Sequence, residues 1–180
     1  MSPNAAFFAA GGFVATLFLG GAAYAVTDTI FKYSTPKTGY YSLSPNAFGG
    51  DGFGNYGDHI IGWPDYLGTS AGGCFTTGVN LPQGAKLTAL AAWTSSDAAT
   101  GVRIHLHRVN LATGHSDEIV LLQSKDTTQT RTTNTFKIPA SATATVDNQR
   151  FDYGVAVCLA SANSRYLGGR ITYSYDNAGD

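Results

Sequence analysis

A run of alternating side chains between residues 150 and 176 constrains the fold of this chain more than any other feature. Apolar side chains recur there at every second position on either side of a polar segment: Tyr153, Val155, Val157 and Leu159 before it, and Ile171, Tyr173 and Tyr175 after it. A period of two is typical of strands that bury one face. The polar residues 161–164 resemble a turn, so the stretch predicts a long β-hairpin.

Similar short segments, separated by turn signals, continue through most of the chain. Two short strands with a turn at Pro36 are predicted over residues 29–34 and 39–44, and residues 101–110 alternate in the same way. A further strand over residues 86–94 places four side chains on one face: Leu87, Ala89, Ala91 and Trp93. Some eight to ten strands spaced by about ten residues predict an all-β, antiparallel, jelly-roll-like β-sandwich.

The N-terminal segment has the features of a secretory signal peptide. Residues 5–25 carry no charge and end in Ala23-Tyr24-Ala25, a small-x-small cleavage pattern, although no basic residue precedes the apolar run. We therefore expect a signal peptide over residues 1–25 and a single sandwich domain over residues 26–180, secreted from the cell. An uncleaved anchor is the alternative, since an uncharged run of this length could span a bilayer.

The two cysteines are predicted to form a disulfide. Cys158 lies among small residues on the face of its strand opposite Val157, and Cys74 is the other cysteine of the chain. In an oxidising compartment the simplest pairing is Cys74 with Cys158. Two buried free thiols are the alternative.

The charge of the chain argues against two classes of partner. Its formal net charge is −1, with charged residues at 13% of the composition. Such a balance gives no electrostatic attraction to nucleic acid or to an anionic membrane surface. Neither is expected as a partner.

Several segments resemble a group of uncharacterised, secreted, β-rich proteins of Gram-positive bacteria. The resemblance rests on residues 33–34, 39–45, 74–85, 153–159 and 169–173 and covers nearly the whole chain after residue 25. It implies export and a β-rich fold. That group has no established activity, so the resemblance implies no catalytic residue.

Residues 46–73 form a long glycine-rich stretch in which aromatic and acidic residues alternate. Sugar rings stack on Tyr and Trp while carboxylates and amides bind their hydroxyls, which predicts a shallow carbohydrate site. Its candidate residues are Asp51, Asn55, Tyr56, Asp58, Trp63 and Tyr66. Asp51, Asn55 and Asp58 could also hold Ca²⁺; otherwise no cofactor is expected. The alternative is that the aromatic residues pack this loop onto the sandwich.

A His-x-His pair is the weak metal candidate. His105 and His107 share one face of a predicted strand, as two chelating imidazoles would. The pattern resembles the cupins, but their nearby glutamate is missing and Glu118 stands too far along the chain. The solvent face of a half-buried strand accounts for the pair equally well.

The chain has a single glutamate, so any pair of carboxylates for glycoside hydrolysis would have to include aspartates, and aspartates beside glycine are also ordinary turn residues. We therefore expect a non-catalytic protein for extracellular surface binding or adhesion, with a polysaccharide as the favoured partner. A self-assembling structural subunit is the alternative, since a homo-oligomer would suit the low charge and many strands. A metal-dependent or hydrolytic enzyme ranks third.

Overall fold

The computed structural model describes residues 31–50, 60–62, 66–125 and 127–178 and confirms the prediction of an all-β, antiparallel sandwich. The strands within these ranges are β1 (Phe31–Leu43), β2 (Gly49–Gly50), β3 (Ile60–Gly62), β4 (Tyr66–Gly68), β5 (Gly73–Gly78), β6 (Lys86–Ser95), β7 (Val102–Asn110), β8 (Ser116–Gln123), β9 (Thr132–Lys137), β10 (Phe151–Leu159) and β11 (Arg165–Ala178). Two short 3-10 turns, Pro45–Ala47 and Ala142–Ala144, are the helical elements described. None of the described helices is long and apolar enough to cross a bilayer.

The strands form two sheets, which we call the six-stranded and the five-stranded sheet. The six-stranded sheet has the order β3-β4-β11-β6-β9, and β1 also pairs with β11. The long β11 pairs with β4 at Tyr166 and with β1 from Gly169 to Ala178. The five-stranded sheet has the order β2-β5-β10-β7-β8. The two inner faces enclose one hydrophobic core.

The core confirms the alternation in β10 and β11. Tyr153, Val155, Val157 and Leu159 are all buried on the inner face of the five-stranded sheet. Ile171 is fully buried on the inner face of the six-stranded sheet, and Tyr173 and Tyr175 pack against the same core. Both strands therefore contribute their apolar faces as the sequence predicts.

The predicted hairpin of residues 150–176 is wrong, because β10 and β11 belong to different sheets. The connection between them crosses from one sheet to the other and is fixed by buried hydroxyl groups. Ser164 is fully buried, and its Oγ lies 3.2 Å from Oγ of Ser96 and 3.3 Å from Oγ of Ser161. These contacts satisfy polar groups that burial would otherwise make costly.

Irregular pairing between strands explains two smaller errors in the strands predicted from the sequence. Residues 31–43 form one strand, and Pro36 falls where its register against β11 shifts, between Lys32 and Lys37, so a bulge replaces the predicted turn. A second shift occurs in β6, where Thr172 faces Ala89 and Tyr173 faces Leu87. The extra residue between them, Thr88, moves the following side chains to the opposite face. Leu87 therefore lies in the core, whereas Ala89, Ala91 and Trp93 face outward.

The predicted disulfide is confirmed. Cys74 of β5 and Cys158 of β10 are direct partners across the two strands, and their sulfur atoms are bonded. The bond lies on the outer face of the five-stranded sheet, since the neighbouring Val157 and Phe75 are buried in the core. It joins two strands of the same sheet and does not link the two sheets.

Candidate functional site

The outer face of the six-stranded sheet carries aromatic side chains from three strands. In β6, Ala92 and Thr94 are fully buried, so Trp93 between them projects outward and is half-buried. In β1, Leu43 lies in the core, and alternation places Tyr40 on the outer face, where it is 59% exposed. Tyr66 of β4 lies on the same face because its neighbour Leu67 is fully buried.

Two arginines of β11 lie on this surface beside the tyrosines. Tyr166 and Ile171 are fully buried, so Arg165 and Arg170 next to them point outward. The guanidinium carbon of Arg165 lies 4.7 Å from the centroid of the Tyr66 ring, and that of Arg170 lies 4.8 Å from the centroid of the Tyr40 ring. Both distances are those of cation–π contacts. We call this surface the aromatic–arginine face; its residues are Tyr40, Tyr66, Trp93, Arg165 and Arg170.

The aromatic–arginine face combines ring surfaces with hydrogen-bond donors. Tyr66 and Tyr40 lie on one side of β11 and Trp93 lies on the other, a separation of two strand spacings, or about 10 Å, measured across the strands. The pairing also places threonines of β9 and β11 on the same face: Thr133, Thr135 and Thr172. A flat surface of this kind can stack on the apolar side of a sugar ring while the polar groups bind hydroxyl or carboxylate oxygens.

The structure describes one of the six predicted carbohydrate residues, Tyr66, and places it on the aromatic–arginine face. The other five lie outside the described residues: Asp51, Asn55, Tyr56, Asp58 and Trp63. The sequence patterns did not indicate Tyr40, Trp93, Arg165 or Arg170 as site residues. Alternation could have identified Arg170, because it occupies the position opposite the apolar Ile171 in an obvious strand.

His105 and His107 lie on the outer face of the five-stranded sheet, the solvent side of β7. Nδ1 of His105 lies 2.8 Å from Oε2 of Glu118, which the β7–β8 hairpin brings alongside. The expectation that Glu118 stands too far along the chain was wrong, because sequence distance does not measure distance across a hairpin. In the part of the chain that the structure describes, no three His, Cys, Asp or Glu side chains are placed to hold a metal ion.

The imidazole of His107 lies against Gly154 of the neighbouring strand. A Cβ built at Gly154 of β10 would lie 2.8 Å from Nε2 of His107, so the imidazole occupies the space that a side chain at this position would need. Burial lowers the pKa of His107 and outweighs the hydrogen bond with the backbone of His105 and the charge of Asp152, which act in the opposite direction. Neutral imidazole is therefore favoured in the folded protein.

Comparison with known proteins identifies the fold. No family model and no curated protein match the chain. Among solved structures, the C-terminal CBM6 of LamC, a marine laminarinase from Zobellia galactanivorans, matches with a TM-score of 0.50 at 14% identity, over 74% of this chain and 99% of that one. The xylan-binding module CBM15 also matches with a TM-score of 0.50 at 14% identity, over 76% of this chain and 97% of that one.

The chain has a β-sandwich fold similar to that of carbohydrate-binding modules. At this level of identity the likeness shows the fold and not the ligand. The sequence resemblance to secreted proteins of Gram-positive bacteria stays a prediction, since these matches do not address it.

Proposed function

We propose that this chain is a non-catalytic extracellular binding protein that holds a polysaccharide on its aromatic–arginine face. The observation that carries the proposal is the placement of Tyr40, Tyr66 and Trp93 on one side of one sheet, from three different strands. An extended sugar chain lying across β11 would contact rings on both sides of that strand. Stacking of this kind contributes about 0.5–1.5 kcal/mol for each aromatic contact beyond the area it buries.

Two further observations support the proposal. Both solved structures with a TM-score of 0.50 are named as carbohydrate-binding modules, and one of them is named as xylan-binding. The disulfide between Cys74 and Cys158 suits a protein that folds in an oxidising compartment, as secreted proteins do. Location outside the cell would bring the chain to polysaccharides of the cell surface or the surroundings.

The test is affinity electrophoresis of the purified protein in gels containing soluble polysaccharides, together with sedimentation on insoluble ones. Tyr40→Ala is the first variant, because Tyr40 is 59% exposed and its removal should leave the fold intact. Trp93→Ala is the second, with its unfolding midpoint measured alongside. We expect each to weaken binding about tenfold, which corresponds to about 1.4 kcal/mol.

Phe136→Ala provides the matched control. Phe136 is an exposed aromatic of the edge strand β9, but it pairs with the buried Leu90 and therefore lies off the aromatic–arginine face. Its replacement should leave binding unchanged. Absence of retention on every polymer would contradict the proposal, as would equal losses in the Tyr40 and Phe136 variants.

The self-assembling subunit expected as the alternative from sequence stays a prediction. Sedimentation velocity over a range of protein concentrations separates it from the proposal. A monomer that binds polymer supports the binding protein. Concentration-dependent oligomers without polymer binding would favour the structural subunit.

A further inference from the structure

We propose that the ligand of the aromatic–arginine face is an acidic polysaccharide, whose uronate carboxylates are bound by Arg165 and Arg170. This inference rests on the proposed function and adds to it the chemical class of the polymer.

Arg165 and Arg170 are held by aromatic rings and not by carboxylates. Among the described residues, neither forms an ion pair or a hydrogen bond through its guanidinium group; their contacts are the rings of Tyr66 and Tyr40. Arg108 of the five-stranded sheet differs, because its Nη2 lies 3.0 Å from Oδ2 of Asp117. The N–H donors of the two outer-face arginines are thus oriented by stacking while their hydrogen bonds are left for a ligand.

The two sheets differ in charge. The strands of the six-stranded sheet contain six lysines and arginines and one acidic residue: Lys32, Lys37, Lys86, Lys137, Arg165, Arg170 and Asp176. The strands of the five-stranded sheet contain two arginines and three acidic residues: Arg103, Arg108, Asp117, Glu118 and Asp152. Positive charge is therefore concentrated on the sheet that carries the aromatic side chains, although the whole chain has a net charge of −1.

Alternation places much of this charge on the outer face. Lys137 pairs with the outward Ala89, which faces Thr172 of β11, and Lys86 pairs with Ser174 two residues further along β11. The acidic residue of the sheet, Asp176, stands near the far end of β11, beside Lys86. The described strand residues around the stretch from Arg165 to Arg170 include no carboxylate; Asp97, in the loop after β6, accepts a hydrogen bond from Asn163 at 2.8 Å.

Carboxylates suit these two arginines better than neutral hydroxyl groups do. A guanidinium group offers paired N–H donors in a plane, and a carboxylate accepts two of them in parallel. Arg165 and Arg170 lie on one strand on either side of a bulge, and β-strand geometry separates their Cα atoms by about 13 Å. An extended uronate polymer could reach both, with its sugar rings on the neighbouring tyrosines.

A single-stranded nucleic acid would also combine negative charge with stacking. The acidic polysaccharide is favoured because the positive residues are few and the fold is similar to that of carbohydrate-binding modules. Nucleic acid is therefore included in the test as a competing ligand.

The experiment compares each acidic polymer with its own neutral ester. Polygalacturonate and alginate are the acidic probes; methyl-esterified polygalacturonate and propylene-glycol alginate are their uncharged counterparts, and poly(dT) is the competing polyanion. Binding of the purified protein is measured by calorimetry at low ionic strength. We expect at least one acidic polymer to bind about tenfold or more tightly than its ester, and more tightly than poly(dT).

Single substitutions identify which arginines bind the acidic polymer. Arg165→Gln and Arg170→Gln should each weaken binding of the acidic polymer about tenfold and leave binding of the ester unchanged. Arg103→Gln is the matched control, since it removes the same charge from an exposed position on the five-stranded sheet. Equal loss in all three variants would show a general effect of charge and would overturn the inference.

The outcomes also separate this inference from the proposed function. Binding that is equal for acid and ester, or confined to neutral polysaccharides, and that is still lost in Tyr40→Ala, overturns the inference and leaves the proposed function standing. Binding of poly(dT) that is as strong as that of the tighter-binding acidic polymer overturns the assignment to uronates. Failure to bind any polysaccharide overturns both proposals.

Discussion

The imidazole of His107 covers the backbone of Gly154 on the adjacent strand, with Nε2 lying 2.8 Å from the position that a Cβ of residue 154 would take. This contact is possible because glycine leaves the outer face of β10 open at that point. It partly buries a histidine that would otherwise be a surface side chain, and burial lowers its pKa.

Gly154→Ala should displace the ring of His107 and return its pKa toward the ordinary value of about 6.5. The atom that the new methyl group meets is at the end of a side chain, so the ring can turn away and the loss of stability should be about 1 kcal/mol. Titration of the imidazole protons by NMR measures the change. An unaltered His107 pKa in the variant would contradict the contact, and His115, which is exposed, serves as the internal reference.

Stability should fall as the pH decreases below about 6.5, partly because of His107. The folded protein holds this histidine at a lowered pKa, so it binds fewer protons than the unfolded chain between the folded and unfolded pKa values. The part of the folding stability that depends on a neutral His107 is therefore fully present above the pKa that this histidine has in the unfolded chain. It is lost as the pH falls through the lower pKa of the folded protein. Urea unfolding at about pH 7.5 and about pH 5 should show a smaller difference in His107→Gln than in the wild type. An equal difference would mean that His107 is not a source of the pH dependence.

Gly169→Ala should destabilise the protein by about 1–3 kcal/mol, because the added methyl group meets a filled space. Its Cβ would lie 2.5 Å from the hydroxyl oxygen of Tyr166, which donates a hydrogen bond to the carbonyl of Leu43 at 3.1 Å. Denaturant unfolding measures the loss. Gly78→Ala is the control, since no atom lies within 4 Å of its added Cβ, and its effect should stay within about 0.5 kcal/mol. Similar effects of the two substitutions would argue against close packing at Gly169.

Loss of the disulfide should lower the free energy of unfolding by about 2–4 kcal/mol. The bond joins cysteines 84 residues apart, so it restricts a large part of the unfolded chain. The double variant Cys74→Ala, Cys158→Ala and the reduced wild type should unfold at the same denaturant concentration. A reductant should not shift the double variant, and a wild type that is equally stable with and without the bond would disprove the expected contribution.

Alternation predicted the core but not the pairing of the strands. Tyr153, Val155 and Ile171 are buried as expected, because a period of two is a local property that burial enforces. Contacts with residues that are distant in the sequence decide which sheet a strand joins. The short polar segment before Arg165 could equally close a hairpin or cross between sheets, and the contact of Ser164 with Ser96, 68 residues away in sequence, fixes the crossing.

The candidate site was predicted only in part, for the same reason. Tyr66 was recognised as an aromatic residue in a glycine-rich segment, but its stacking partner Arg165 is about a hundred residues away and becomes a neighbour only through the pairing of β4 with β11. Trp93 was grouped with Leu87, and the bulge at Thr88 that separates their faces leaves no clear trace in the sequence. A site assembled on the face of a sheet depends on register, which a single sequence does not determine.

The pairing of Phe31 with Ala178 has a mechanical consequence. These residues stand at the same end of two antiparallel neighbours, so tension applied to them in opposite directions would open the β1–β11 hydrogen bonds one after another. A load shared along all the bonds at once would resist much larger forces. The protein should therefore yield easily when it is stretched between these two points.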